Sequence, residues 1–160
     1  MKKITYLIFA IIFLSACAGY KPIYTSNLQF QIVEYSLKEN KQVGKKIYSQ
    51  LNNLSKSNKN KSETESITIT ISAKKNKDAM SKDSTGKVLE YKITLSSNII
   101  IKDYLTNNEI LNQNFSYSSS YKVQNQYTDT KRLENKSIED LINKTYENLL
   151  IEMSQIILGK

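Results

Sequence analysis

Histidine is absent from all 160 residues, and cysteine and proline occur once each. The missing imidazole removes Ser-His-Asp and Cys-His catalysis and most transition-metal sites, which draw on it as base or ligand. A single thiol, Cys17, allows no internal disulfide, so an oxidising compartment cannot staple the chain. Glycine is scarce, with four residues, and no phosphate-binding loop is built from it. Ser84-Thr85-Gly86-Lys87 lacks the leading glycine and the spacing such a loop requires, and reads as a turn. Two carboxylate pairs occur. Glu63/Glu65 falls in a polar segment, and Glu139/Asp140 at a predicted helix start, where acidic side chains complement the macrodipole. Neither reads as the acid–base couple of a glycosidase. Nothing in the sequence marks an enzyme.

Long apolar runs are also lacking, with one exception at the N-terminus. Met1-Lys2-Lys3 is followed by apolar or weakly polar residues from Ile4 to Leu14. A signal peptide has this build: a positive start, an apolar stretch of about 7–15 residues, then small residues at the cleavage point. The run is too short for a bilayer core, which takes about 20 residues. Leu14-Ser15-Ala16-Cys17 matches the bacterial lipobox, so residues 1–16 read as a removable signal and Cys17 as the lipidated first residue. Its expected modification is an N-acyl and S-diacylglycerol lipid, and no other cofactor is expected. Each buried methylene contributes about 0.8 kcal/mol, and two or more chains give stable anchoring. Ala18, not Asp, follows the cysteine, which in lipoprotein sorting permits transfer onward. The expected location is the outer membrane, on its periplasmic side.

Removing the signal leaves about 144 residues, enough for one domain with a modest core. The formal charge of +8 loses Lys2 and Lys3 and falls to about +6. This basic balance suggests an anionic partner, unless the lysines only follow a compositional bias shared with asparagine. A phosphorylated lipid surface fits an exported, tethered chain better than nucleic acid, which is not an expected partner.

Residues 17–27 read as a lipidated tether carrying Pro22, and residues 28–160 as a single domain. Leu28, Phe30 and Ile32 alternate with Gln29, Gln31 and Val33 in a first strand. Val43, Ile47, Leu51 and Leu54 lie on one helical face, with Gly44 costing about 1 kcal/mol and blurring the helix start. Ser55–Glu65 is polar and reads as a mobile loop. Ile67, Ile69, Ile71 and Ala73 then alternate with polar residues, and a polar link follows over Lys75–Gly86. Leu89, Tyr91, Ile93, Leu95, Ile99 and Ile101 share one face of the next strand. A turn around Asn107-Asn108 leads to Phe115, Tyr117, Tyr121 and Val123 on the same face of another. A C-terminal helix carries Ile138, Leu141, Ile142, Thr145, Leu149, Met153 and Ile156 on one stripe. Ser137 and Asp140 fit a capping box there, although the helix can begin as early as Thr130, and Gly159 is placed to end it. The order β-α-β-β-β-α predicts an α+β two-layer sandwich, a four-stranded mixed sheet with two helices on one face.

Period-two alternation over three strands implies a sheet covered on one side only. The other side reads Thr68, Thr70, Ser72, Lys74; then Lys92, Thr94, Ser96, Asn98, Lys102; then Ser116, Ser118, Ser120, Lys122, with Glu90 the acidic exception. Threonine favours strands in any case. A hydroxyl-rich face punctuated by lysines also suits packing against another polar surface, with the lysines available to phosphate.

After the lipidated residue the chain runs Cys17-Ala18-Gly19-Tyr20-Lys21-Pro22-Ile23-Tyr24. With the β-α-β-β-β-α order, the long central hairpin and the amphipathic C-terminal helix, this resembles the LptE family of lipopolysaccharide-assembly lipoproteins. Its members often carry Cys, Gly, an aromatic, then Pro, an aliphatic residue and Tyr at this place. Ala18 is an insertion in that pattern and lengthens the tether. The resemblance implies a plug within an LptD-like outer-membrane β-barrel, help in assembling it, and lipopolysaccharide delivery to the outer leaflet, with no bond made or broken. Basic residues bind lipopolysaccharide in the family; strand parity alone nominates Lys74, Lys92, Lys102 and Lys122 here. Another non-enzymatic envelope lipoprotein, or a lipid-anchored hydrolase, stays open as an alternative.

Overall fold

The computed structural model describes residues 28–57 and 64–158. The signal, the lipobox, the tether with Cys17, and Gly159 lie outside them. The expected order is observed: β1 (Phe30–Glu39), α1 (Lys41–Ser57), β2 (Glu65–Lys82), β3 (Val88–Asp103), β4 (Glu109–Lys122) and α2 (Tyr127–Leu158). The sheet runs β1-β2-β3-β4, parallel between β1 and β2 and antiparallel elsewhere. A parallel pair needs a crossover, and α1 supplies it. The product is the predicted α+β sandwich with both helices on one face.

Burial follows the alternation. Ile67, Ile69, Ile71 and Ala73 of β2, Ile93, Leu95, Ile99 and Ile101 of β3, and Leu111, Phe115 and Tyr121 of β4 are buried. Val43, Ile47 and Leu51 of α1 meet them, as do Leu141, Ile142, Leu149, Leu150 and Met153 of α2. A register shift after Ile32 makes Val33 a bulge, so Tyr35 and Leu37 pair with Ile69 and Ile71 and take their parity. Asn40 caps α1, its Oδ1 accepting from the Val43 amide at 3.2 Å, while its own amide extends the ladder to Ala73 O at 2.8 Å. Gly44 sits where this helix meets the sheet: an added Cβ would lie 3.3 Å from Leu37 Cδ2 and 3.7 Å from Ile71 Cγ2. Close packing therefore offsets its poor helix propensity.

Three expectations need correcting. The segment read as a polar link from Lys75 is strand as far as Lys82, and the hairpin turn occupies only Asp83–Lys87. Lys75 and Lys77 keep the core parity of Ala73 but carry charge, which concealed the strand. Ser137 does not cap α2; it lies ten residues inside the helix and is buried. The first turns of α2 cover that charged part of the hairpin, so they show no apolar stripe. Ser55 and Glu65 belong to α1 and β2, and residues 58–63 lie outside the described residues.

Both turns form as expected. Asp83 Oδ1 accepts from the Thr85 and Lys87 amides, and Gly86 adopts φ 85°. Asp103 plays the same part in the β3–β4 turn, with Asn107 at φ 60°. Among the described residues, β4 has β3 as its only neighbour, and Ile110–Tyr121 contains no charged residue and no proline. No described helix is long and apolar enough to cross a membrane.

Candidate functional site

The sheet face away from the helices is polar across its strands, interrupted by Ile100, which stands in register with Thr70 and Asn112. Register places Lys38, Ser72, Asn98 and Asn114 in one row across all four strands, and Lys74, Ser96 and Ser116 in another. Asn98 Nδ2 donates to Asn112 Oδ1 at 3.2 Å and Asn114 Oδ1 at 3.0 Å, and the Ser96 and Ser116 hydroxyls stand 3.1 Å apart. These cross-strand bonds fix side chains on a surface that no helix covers.

All four nominated lysines lie on this face, but they do not converge. Lys92 and Lys102 are ten residues apart on β3, about 33 Å along an extended strand. Lys92 and Lys122 are closest, near the hairpin end. Lys92 stands opposite Asp78, Lys102 opposite Glu109 and Lys122 opposite Glu90. Such cross-strand pairs temper the positive field. Lys74 stands opposite Ser96 and has no carboxylate in register. Asp78 escaped the sequence reading because its segment was taken for a link.

A second cluster lies on the helix side of the same hairpin. Glu134 of α2 accepts from Lys77 Nζ at 2.8 Å, Tyr121 Oη at 3.1 Å and Lys131 Nζ at 3.2 Å. Lys77 Nζ also lies 4.1 Å from the Tyr91 ring centroid, a cation–π contact. Burial alone would raise the pKa of Glu134, but the hydrogen bonds from Lys77, Lys131 and Tyr121 outweigh it and hold the carboxyl down to about 2. Burial opposes the charge on Lys77 too, and Glu134 and Tyr121 overcome it, so its pKa is raised. An open cleft of about 530 Å³ borders the cluster, lined also by Val88, Val123 and Tyr127. With its one carboxylate already committed to three donors, two of them lysines, the cluster is a clamp between α2 and the hairpin. Period two continued past Ala73 was the signal that could have placed Lys77 here; nothing local pointed to Glu134.

Glu139 pairs with Lys46 and Asn143 accepts from Gln50 Nε2 at 2.8 Å, joining α2 to α1, which agrees with a structural reading of Glu139. Among the described residues, no group of three or more His, Cys, Asp or Glu side chains could hold a metal.

Three solved structures resemble this architecture over most of their own length. Lipoprotein B from Nitrosomonas europaea aligns with a TM-score of 0.58 at 17% identity, covering 81% of this chain and 86% of that one. A candidate lipoprotein from Caulobacter crescentus CB15 gives 0.56 at 14%, covering 80% and 90%. A minor lipoprotein from Acinetobacter baumannii gives 0.55 at 12%, covering 79% and 92%. The chain shares its fold with bacterial lipoproteins. At these identities the likeness establishes the fold and no more. No protein-family model matches the chain, and no curated protein matches it by sequence.

Proposed function

We propose that this chain is an outer-membrane lipoprotein that assists assembly of an LptD-like β-barrel, plugs it, and helps deliver lipopolysaccharide to the outer leaflet. The observation that carries the proposal is the uncovered polar sheet face. An open sheet with helices on one side leaves the other to water or to a partner, and here its side chains are already ordered by cross-strand hydrogen bonds. The lumen of an outer-membrane barrel is itself polar, and serine, threonine and asparagine match it without burying unpaired charge. The fold shared with bacterial lipoproteins and the lipobox at Cys17 support the same reading. Lipid on Cys17 holds the protein at the periplasmic side. Lys74, Lys92, Lys102 and Lys122 then offer charge-assisted hydrogen bonds to lipopolysaccharide phosphates. The role is binding and positioning, without catalysis.

Affinity purification of the full-length lipoprotein from outer membranes tests the proposal. A photoreactive side chain at Thr94 or Ser118, on the polar face, is expected to cross-link a co-purifying large barrel. The same probe at Lys136, exposed on α2, is expected to cross-link it less. Recovery of the lipoprotein alone, or cross-linking through the helix side only, would overturn the plug assignment.

A further inference from the structure

The described chain begins at one end of the sheet, and the β3–β4 turn lies beside it. The Glu65 amide donates to Gln29 O at 3.3 Å, and the Tyr104 amide donates to Ser66 O at 2.9 Å. The turn therefore sits two strand spacings, about 10 Å, from the place where the tether joins β1. At its tip Leu105 is 83% exposed and Tyr104 is 43% exposed. This is not a loosely held loop. Asp103 Oδ1 accepts from the Leu105 amide at 3.0 Å, the Thr106 amide at 2.7 Å and Thr106 Oγ1 at 2.8 Å. The turn presents its leucine outward although no packing within the fold requires an apolar residue there.

We propose that the Tyr104-Leu105 turn rests on the lipid surface next to the anchor, with Leu105 at the acyl boundary and the Tyr104 ring at headgroup level. The proposal rests on lipidation at Cys17 and is independent of the barrel partner. Two side chains bury too little area to hold a free protein on a membrane. Residues 17–27, however, span at most about 40 Å when fully extended. Anchoring at Cys17 thus limits how far the turn can stray from the interface and raises its effective concentration there, so weak apolar contacts suffice. Glu65, Asp103 and Glu109 outnumber Lys102 at this end, so no basic patch calls for anionic lipid and the contact is apolar.

The chain has no tryptophan, so a single introduced indole reports position directly. L105W is compared with M80W, Met80 being 56% exposed near the far end of β2, about 50 Å away along the strand. Both are purified as lipoproteins from membranes and reconstituted into phosphatidylethanolamine–phosphatidylglycerol vesicles with brominated acyl chains. The L105W emission is expected to shift to the blue and to be quenched several-fold more than that of M80W, unchanged by added salt. Intact mass of the same samples reports acylation of Cys17. An unmodified cysteine would sink the anchor reading separately. Both variants would then be coupled through that thiol to a maleimide headgroup lipid, so the turn is still presented to a vesicle. Equal quenching of the two indoles in the anchored preparation, low or high, overturns the proposal.

Discussion

Replacing Glu134 with glutamine removes one charge from the clamp and keeps the shape of the side chain. The Glu134 side chain is only 10% exposed and serves two lysines and a tyrosine hydroxyl. Its pKa falls from an ordinary 4.5 to about 2. A carboxyl whose folded pKa is depressed stabilises the fold above the unfolded value, and loses that contribution as pH falls through the folded value. At about 1.36 kcal/mol per pH unit the full effect is about 3 kcal/mol. Lys77 is 35% exposed and partly screened by water, which reduces the net value to about 2 kcal/mol. Urea unfolding at neutral pH should therefore show E134Q about 2 kcal/mol less stable than the parent. By about pH 3 more than half of that gap should have closed, because the parent carboxyl is then losing its advantage over the unfolded chain. A gap of the same size at both pH values would refute the reasoning, since the loss would then come from packing.

Three further outcomes are expected. Ser97 is buried among Ala73, Leu95, Ile99 and Phe115 with no hydrogen-bond partner for its hydroxyl, so S97A should raise stability by about 1 kcal/mol in the same urea assay; a loss would mean the hydroxyl is satisfied in solution. Gly86 adopts φ 85°, and a methyl group there would meet nothing within 4 Å, so G86A should cost about 1 kcal/mol through backbone strain alone, and G86N less. If both cost the same, left-handed geometry is not the cause. Among the four lysines of the polar face, Lys74 alone lacks a carboxylate in register, so K74A should weaken lipopolysaccharide binding more than K92A, K102A or K122A. Equal losses in a titration would show that the register pairs do not matter.

The fold was legible wherever one side of an element is buried and the other wet. Ile67 to Ala73, Ile93 to Ile101 and Phe115 to Tyr121 announce their strands because water and core impose opposite chemistry on successive residues. The reading failed where the core gives way to charge. Lys75 and Lys77 keep strand geometry, but the partner that makes Lys77 tolerable under the helices is Glu134, 57 residues later. The start of α2 was hidden for the same reason, since its first turns cover that charged stretch, and a local capping pattern at Ser137 stood in for the true beginning at Tyr127. Parity alone put the four lysines on the face away from the helices, whereas their dispersal and their acidic neighbours depended on register between strands.

The uncharged outer edge of β4 carries a cost for a chain on its own. From Ile110 to Tyr121 the strand has neither the lysines nor the proline that commonly deter another chain from pairing. A free copy therefore offers a template for intermolecular sheet growth, and the rate of such encounters rises with the square of concentration. Overproduction of the chain should therefore yield aggregates enriched in β-structure, and more of them at higher concentration.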